Sequence, residues 1–324
     1  MFRRYTPKID GINSVAELRK VSIGNVDQWL LIRGENKNNP VLFMLHGGPG
    51  AAQIGFNREY QNDLEKHFVV VNWDQRGAGL SYSKKVPLET MNIDQFLNDA
   101  IEVTTLLKKE FQKDKIVLVG HSWGSVLGML AIHKHPEHFS HYIGVSQVTS
   151  MSIAEELSYE LVLEKANELN NQKALKQLME IRKPPWNNLK HDGIHQKYLD
   201  LFGGGISHDR KLVKEFVKKL LKSKEYTIFD VVNHVKGQMF SMKNMINELR
   251  SFEMKDVIHN VKVPVTFIAG KYDLQVPPLP AKEFFDHLQA PSKEWVVFEK
   301  SAHSPNYEEK DQFIEKVLEI VSRY

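Results

Sequence analysis

Apolar residues follow two different spacings along this chain, and the switches between them outline its architecture. In the first third they come in short unbroken runs. Residues 29–33 form one. Residues 41–45 form another, which breaks into His46-Gly47-Gly48-Pro49-Gly50, and residues 68–73 a third, which ends at Asp74-Gln75-Arg76-Gly77. Runs apolar on both faces and bounded by glycine predict strands buried in the middle of a sheet. Ile93, Phe96, Leu97, Ala100, Ile101, Thr104 and Leu107 then recur at helical spacing as far as Phe111. Residues 115–120 predict another buried strand, 123–133 a helix of small and apolar residues, and 142–146 a short strand.

The strand–helix alternation then stops. From 147 to 254 only helical patterns are present, such as Leu157, Leu161 and Val162, or Val213, Phe216, Val217 and Leu220. Lys183-Pro184-Pro185-Trp186 and Phe202-Gly203-Gly204-Gly205 break this region into pieces. Strand-like runs return at 265–269 and 295–298, around a helix at 281–288, and a last helix follows Tyr307. The simplest account is an α/β core with a mostly parallel sheet and helices on both faces, interrupted by an all-helical insertion. The expected division is a core of 1–146 and 255–324, with a cap of 147–254. The chain contains no internal repeat.

Composition narrows the function classes. With 324 residues, 42% of them hydrophobic, the chain can bury a sizeable core. Lys and Arg number 43 against 40 Asp and Glu, a formal charge of +3, and no basic stripe is interleaved with aromatics. A nucleic-acid partner is not expected. The absence of cysteine excludes disulfides, thiolate zinc sites and a cysteine nucleophile, and favours the cytoplasm. In Met1-Phe2-Arg3-Arg4-Tyr5-Thr6-Pro7 no apolar region follows the arginines, so a signal peptide is not expected. No stretch approaches about 18 uncharged apolar residues, so neither a membrane span nor a membrane partner is expected.

The candidate chemistry begins at Gly120-His121-Ser122-Trp123-Gly124, a G-x-S-x-G pattern directly after a predicted strand and before a predicted helix. That sharp turn lifts a serine hydroxyl clear of the sheet, and the glycines spare a collision with the neighbouring strand and helix. A serine hydroxyl needs a base to take its proton, and the base needs an acid to hold its tautomer. After a nucleophile elbow the order is Ser, then Asp or Glu, then His. Asp273, just past the strand at 265–269, and His303, just past that at 295–298, satisfy it. Gln147, after the preceding strand, cannot serve as the acid. The amides of Gly48, in the glycine-rich loop, and of Trp123 are the expected oxyanion donors.

Together these segments resemble the prolyl iminopeptidase family of α/β-hydrolases. The matching residues are His46-Gly47-Gly48-Pro49-Gly50, Asp74-Gln75-Arg76-Gly77-Ala78-Gly79, Ser122-Trp123-Gly124-Ser125, Gly270-Lys271-Tyr272-Asp273-Leu274-Gln275-Val276-Pro277 and Ser301-Ala302-His303. The resemblance covers both halves of the sheet and leaves the cap loosely matched. It implies release of an N-terminal residue, often proline, from small peptides, with no metal or other cofactor. It also implies that glutamates, mostly from the cap, bind the free α-amine; Glu155, Glu156, Glu160 and Glu248 are the candidates. His121 departs from the pattern, because these enzymes usually carry a second glycine there.

Two alternatives stay open. An esterase or amidase acting on a small apolar acyl compound would use the same serine, and a non-catalytic binding protein could use the same scaffold. A carboxylate nucleophile, as in epoxide or haloalkane hydrolases, is disfavoured by the serine at 122. His133, His135, His138 and His141 are read as solvated, without a shared metal, because residues two apart on a helix do not face each other and Pro136 intervenes. Gly203-Gly204-Gly205 lacks phosphate-cradle spacing and reads as a loop. The basic amphipathic stretch 210–224 reads as a cap helix with a solvated lysine face. Asp74 and Arg76 read as structural ties.

Overall fold

A computed structural model describes residues 4–186 and 189–323, so the Met1-Phe2-Arg3 end of the N-terminal segment lies outside the described residues. The sheet strands are β1 (Val15–Ile23), β2 (Val26–Gly34), β3 (Val41–Leu45), β4 (Val69–Asp74), β5 (Ile116–His121), β6 (Phe139–Val145), β7 (Val265–Gly270) and β8 (Lys293–Phe298). They form one eight-stranded sheet in the order β1-β2-β4-β3-β5-β6-β7-β8. β1 with β2 and β2 with β4 pair antiparallel; every later pair is parallel. β3 to β7 are buried along their whole length, as their unbroken apolar runs require, except for the half-exposed Ser140 in β6.

β1 is the strand that the hydrophobic pattern misses. Its sequence Val-Ala-Glu-Leu-Arg-Lys-Val-Ser-Ile is buried only at its two ends, half-buried or exposed between them, and carries three charges. An edge strand with one solvated face shows no continuous apolar run. Gly24 and Asn25, both at positive φ, turn it into β2, as a two-residue hairpin requires.

Helices cover both faces. α1 (Ile54–Gln61), α2 (Ile93–Phe111) and α3 (Trp123–Lys134) follow β3, β4 and β5. The largest apolar cluster joins α2 and α3 to one sheet face through Phe96, Val103, Val126, Ile132 and Phe267. The opposite face is closed by Phe313, Val317 and Ile320 of the last helix.

Between β6 and β7 lie α4 (Met151–Glu168), α5 (Gln172–Ile181), α6 (Leu189–Leu201), α7 (Lys211–Lys222) and α8 (Ile228–Ser251). The strands before and after them pair directly, so the helices form one excursion from the end of the sheet where Ser122 sits. Its two connections meet at a neck: Ser150 and Glu253 form an antiparallel bridge, and the Met254 amide donates to the Thr149 carbonyl at 2.8 Å. α4, α5 and α6 share a small apolar cluster with Trp186, while α7 and α8 pack on α1 and on the loops after β3 and β4. α9 (Met254–Val257) leads back to β7; α10 (Pro278–His287), α11 (Pro305–Glu308) and α12 (Lys310–Val321) complete the chain. No helix among the described residues is long and apolar enough to cross a membrane.

Candidate active site

Ser122 joins the end of β5 to the first residue of α3, with φ 52° and ψ −121°. A positive φ is costly for a residue with a Cβ and survives only where the surroundings fix it. Here the Ser122 amide donates to Val145 O at 2.9 Å, and its carbonyl accepts from the amide and hydroxyl of Ser125. The flanking glycines are a matter of space. A Cβ on Gly124 would lie 2.2 Å from the Leu45 carbonyl oxygen, and one on Gly120 would lie 2.5 Å from the Gly124 oxygen. A Cβ on Gly47 would come within 3.1 Å of the Ser122 Cβ. The loop after β3 therefore runs directly past the serine.

His303 Nε2 lies 3.0 Å from Ser122 Oγ, and His303 Nδ1 lies 2.9 Å from Asp273 Oδ2. The second carboxylate oxygen of Asp273 accepts the amides of Gln275 and Val276, which fixes its plane. All three residues are buried. With the proton on Nδ1 facing the carboxylate, the Nε2 lone pair faces the serine hydroxyl. Three residues spread over 181 positions thus meet in one hydrogen-bonded line.

The loop that carries His303 is itself held by its backbone. The His303 amide donates to Gly205 O at 3.2 Å, and its carbonyl accepts from His121 Nε2 at 2.8 Å and Ser146 Oγ at 3.1 Å. Glu308 accepts the amides on either side, Ala302 at 2.9 Å and Ser304 at 3.2 Å, through Oε1. Its Oε2 accepts the His208 amide at 2.6 Å. Burial pushes the Glu308 carboxyl up, and these three amide donors oppose that shift. The Leu274 amide, next to Asp273, donates to Gly204 O at 2.9 Å. Segment 203–208 of the insertion thus binds the loops of both the acid and the base. Gly203-Gly204-Gly205 is a loop, as its spacing predicts, but its carbonyls contact the site, which no side-chain pattern could reveal. Glu308 had a readable signal: a carboxylate in the short helix right after His303 can reach back to preceding amides.

His121, the departure from the family pattern, is buried against the His303 ring. Burial, and next the neighbouring His303, push its pKa down to about 3, so the ring is neutral. Its Nε2 donates to the His303 carbonyl, and its Nδ1 is buried with no hydrogen-bond partner among the described residues. His46 is also neutral, pushed down to about 4 mainly by burial. Its Nδ1 faces Gly47 O at 2.8 Å, and its Nε2 accepts the Gln75 amide at 3.1 Å. The Gln75 side chain then donates to His46 O and accepts from Trp123 Nε1. Gln75 therefore ties the loop of Gly48 to Trp123. Gly48 has φ 116°, open only to glycine, and Trp123 is the first residue of α3, where helical amides have no partner one turn back.

Asp74 and Arg76 are tied in as the sequence suggests. Asp74 accepts the Leu80 and Ile54 amides and the Tyr226 hydroxyl, and burial raises its pKa to about 6. Arg76 and Asp99 form a fully buried bidentate pair at 2.8 and 2.9 Å.

Glu155, Glu156 and Glu160 lie on α4 and Glu248 on α8. Glu155 is clasped by Arg250 through three contacts of 2.8 to 3.1 Å. Glu160 is exposed and paired with Lys183, and Glu156 is exposed beside Pro184 and Pro185. Glu248 accepts the Ile93 amide at 3.0 Å, at the start of α2. Among the described residues no hydrogen bond or ion pair joins any of the four to Ser122, Asp273 or His303. Of the four histidines read as solvated, His133 is half-buried and bonds Asn260 O, whereas His141 corrects that reading: it lies on β6 and is buried against Thr266. His135 and His138 do approach each other around a short turn, with Glu137 between them and ligand atoms within 4.8 Å. The expectation that they point apart is corrected there, because the helix ends before Pro136. Lys108 Nζ sits 2.8 Å from His138 Nδ1, while the other ring nitrogen, Nε2, lies 3.6 Å from Glu137 Oε1.

A model of the family described as serine aminopeptidase, S33, matches residues 36–310. The chain belongs to the S33 serine aminopeptidase family. It is 39% identical over 301 residues to a probable aminopeptidase of Bacillus subtilis, covering 93% of this chain and 94% of that protein. It is 27% identical over 296 residues to the proline iminopeptidase of Clostridioides difficile, covering 89% and 92%. Among solved structures, the fold is similar to a proline iminopeptidase-related protein of Thermus thermophilus. That match has a TM-score of 0.68 and 19% identity, covering 95% of this chain and 98% of that one. It is also similar to a 2-hydroxy-6-oxo-6-phenylhexa-2,4-dienoate hydrolase of a Rhodococcus, with a TM-score of 0.64, 20% identity and coverage of 94% and 98%. This S33 chain is a hydrolase of the α/β-hydrolase fold.

Proposed function

We propose that the protein is an aminopeptidase that cleaves the first residue from small peptides through an acyl-enzyme on Ser122. The observation that carries this reading is the line Ser122 Oγ–His303 Nε2, 3.0 Å, and His303 Nδ1–Asp273 Oδ2, 2.9 Å, in a chain of this family. Ser122 Oγ attacks the scissile carbonyl carbon while His303 Nε2 takes the hydroxyl proton. Asp273 accepts a hydrogen bond from Nδ1–H, stays ionised and balances the imidazolium. The carbonyl oxygen, now negative, is held by the amides of Gly48 and Trp123. As the tetrahedral carbon collapses, His303 returns the proton to the leaving amine. Water, deprotonated by the same nitrogen, then releases the residue from Ser122. No metal or other cofactor enters these steps.

One observation favours a second reading, an esterase or amidase that needs no free amine: Glu155, Glu160 and Glu248, three of the four candidate carboxylates, are already engaged by protein partners. Alanine- and proline-naphthylamides, each with its N-acetylated form, separate the two. Aminopeptidase action predicts that acetylation lowers kcat/KM by about 30-fold or more, the worth of a buried hydrogen-bonded charge pair of roughly 2–5 kcal/mol. Equal rates for free and blocked substrates would establish the esterase reading instead.

A further inference from the structure

The outer side of the insertion carries an apolar surface that the fold leaves uncovered. α7 has a wide apolar arc, and only part of it is used. Leu212, Phe216 and Leu220 pack inward, towards Phe56, Tyr60, Ile54 and Tyr226. Val213, Val217 and Leu221 form the adjoining stripe, four residues apart, and are exposed. On α8, Ile228, Val232, Val235 and Met239 recur at the spacing of a single helix face, and each is at least 50% exposed. Phe229, beside them, is 68% exposed. The two helices are consecutive in the chain and in contact.

The charge on this surface is predominantly positive. Lys211, Lys214, Lys218, Lys222, Lys236 and Lys243 are all exposed, whereas Glu215 is the one exposed acid among the described residues between 211 and 243. Glu225 and Asp230 are buried and paired with Arg58 and Arg4. The sequence pattern predicts a solvated lysine face on α7; the lysines are exposed, but so is half of the apolar arc.

We propose that this face of α7 and α8 docks on the surface of an anionic lipid bilayer. Exposed aliphatic and aromatic side chains flanked by lysines fit the boundary between headgroups and acyl chains, where apolar burial and attraction to anionic lipid act together. A second copy of the chain fits less well. In a two-fold dimer the patch would meet itself and set lysine against lysine.

Flotation of the full chain with vesicles tests this, using phosphatidylcholine with about one third phosphatidylglycerol against phosphatidylcholine alone. The protein should float with the anionic vesicles, and added salt should release it. Val232→Asp with Val235→Asp should weaken binding by about tenfold or more. Lys214→Gln and Lys218→Gln should each weaken it by about fivefold. Hydrolysis of a soluble ester, unchanged in all of these, shows that the variants remain folded. Absence of flotation, equal flotation with both vesicles, or full binding by the double aspartate variant overturns the proposal. So does a dimer in light scattering that Val235→Asp dissociates while the protein stays off vesicles; the face would then be a contact between copies.

Discussion

The carboxylates at the end of the sheet and those of the helical insertion make an instructive contrast. Asp273 and Glu308 are held by backbone amides, which have one position once the strands and loops are set. Glu155 and Glu160 are held by side chains, Arg250 and Lys183, from other parts of the same insertion. An amide-held carboxylate can orient a catalytic group within a narrow range, whereas a side-chain pair mainly fastens one element to another. Burial alone does not separate these roles, since Glu155 is also largely covered. The identity of the donor separates Asp273 and Glu308 from Glu155 and Glu160, whereas Glu248, in the insertion, accepts the backbone amide of Ile93.

The sharpest test of that contrast is at the triad. Ser122→Ala should abolish labelling by a fluorophosphonate and lower turnover on the order of 10⁴-fold or more, with circular dichroism unchanged. Asp273→Asn should also lower turnover by roughly 10⁴-fold, because His303 then presents the wrong tautomer, with little change in KM. Near-normal turnover in Asp273→Asn would mean that another carboxylate orients the histidine.

Glu308→Gln sharpens the comparison one step further out. Glutamine keeps the size but turns an NH₂ group towards an amide that needs an acceptor. The expected loss is about 10- to 100-fold in kcat with KM within about twofold, since the interaction acts on the placement of His303. A loss confined to KM, or to thermal stability, would reduce Glu308 to a loop tie. Glu308→Asp, which retains the carboxylate, should recover part of the rate.

The smallest effect is expected within the insertion. Arg250→Ala leaves Glu155 without its partner in a mostly covered site, at a cost of about 1–3 kcal/mol in unfolding free energy, seen in denaturant titration. Turnover of a simple ester should stay within about twofold. If Arg250→Ala spared stability but raised KM for free-amine substrates alone, Glu155 would belong to substrate recognition after all.

Much of the core was legible because its signals are local. Strands buried on both faces are mostly apolar, as in β3 and β7, and an elbow serine sits between a strand and a helix with a glycine two residues to either side. Asp273 and His303 were readable because each directly follows such a strand. β1 was not, since an edge strand with one wet face looks like charged loop. The cap glutamates were chosen by type and region, and nothing local says whether a glutamate on an amphipathic helix meets a substrate, Arg250 or the amide of Ile93. His135 and His138 illustrate the same limit at short range, where the turn at Pro136 decides which way two rings point.

By itself, then, the sequence determined the elements whose hydrophobic period is unambiguous, and it singled out Ser122, Asp273 and His303, which meet in one hydrogen-bonded line. It could do so because those features are set by burial and backbone geometry within a few residues. Tertiary structure alone decided that Gly204 and Gly205 carbonyls hold the loops of the acid and the base, that Gln75 bridges the Gly48 loop to Trp123, and that half of the α7 apolar arc faces outward. Each of these depends on which distant backbone or helix face lies opposite. A carbonyl has no side-chain signature, and an apolar arc does not state how much of itself will be covered.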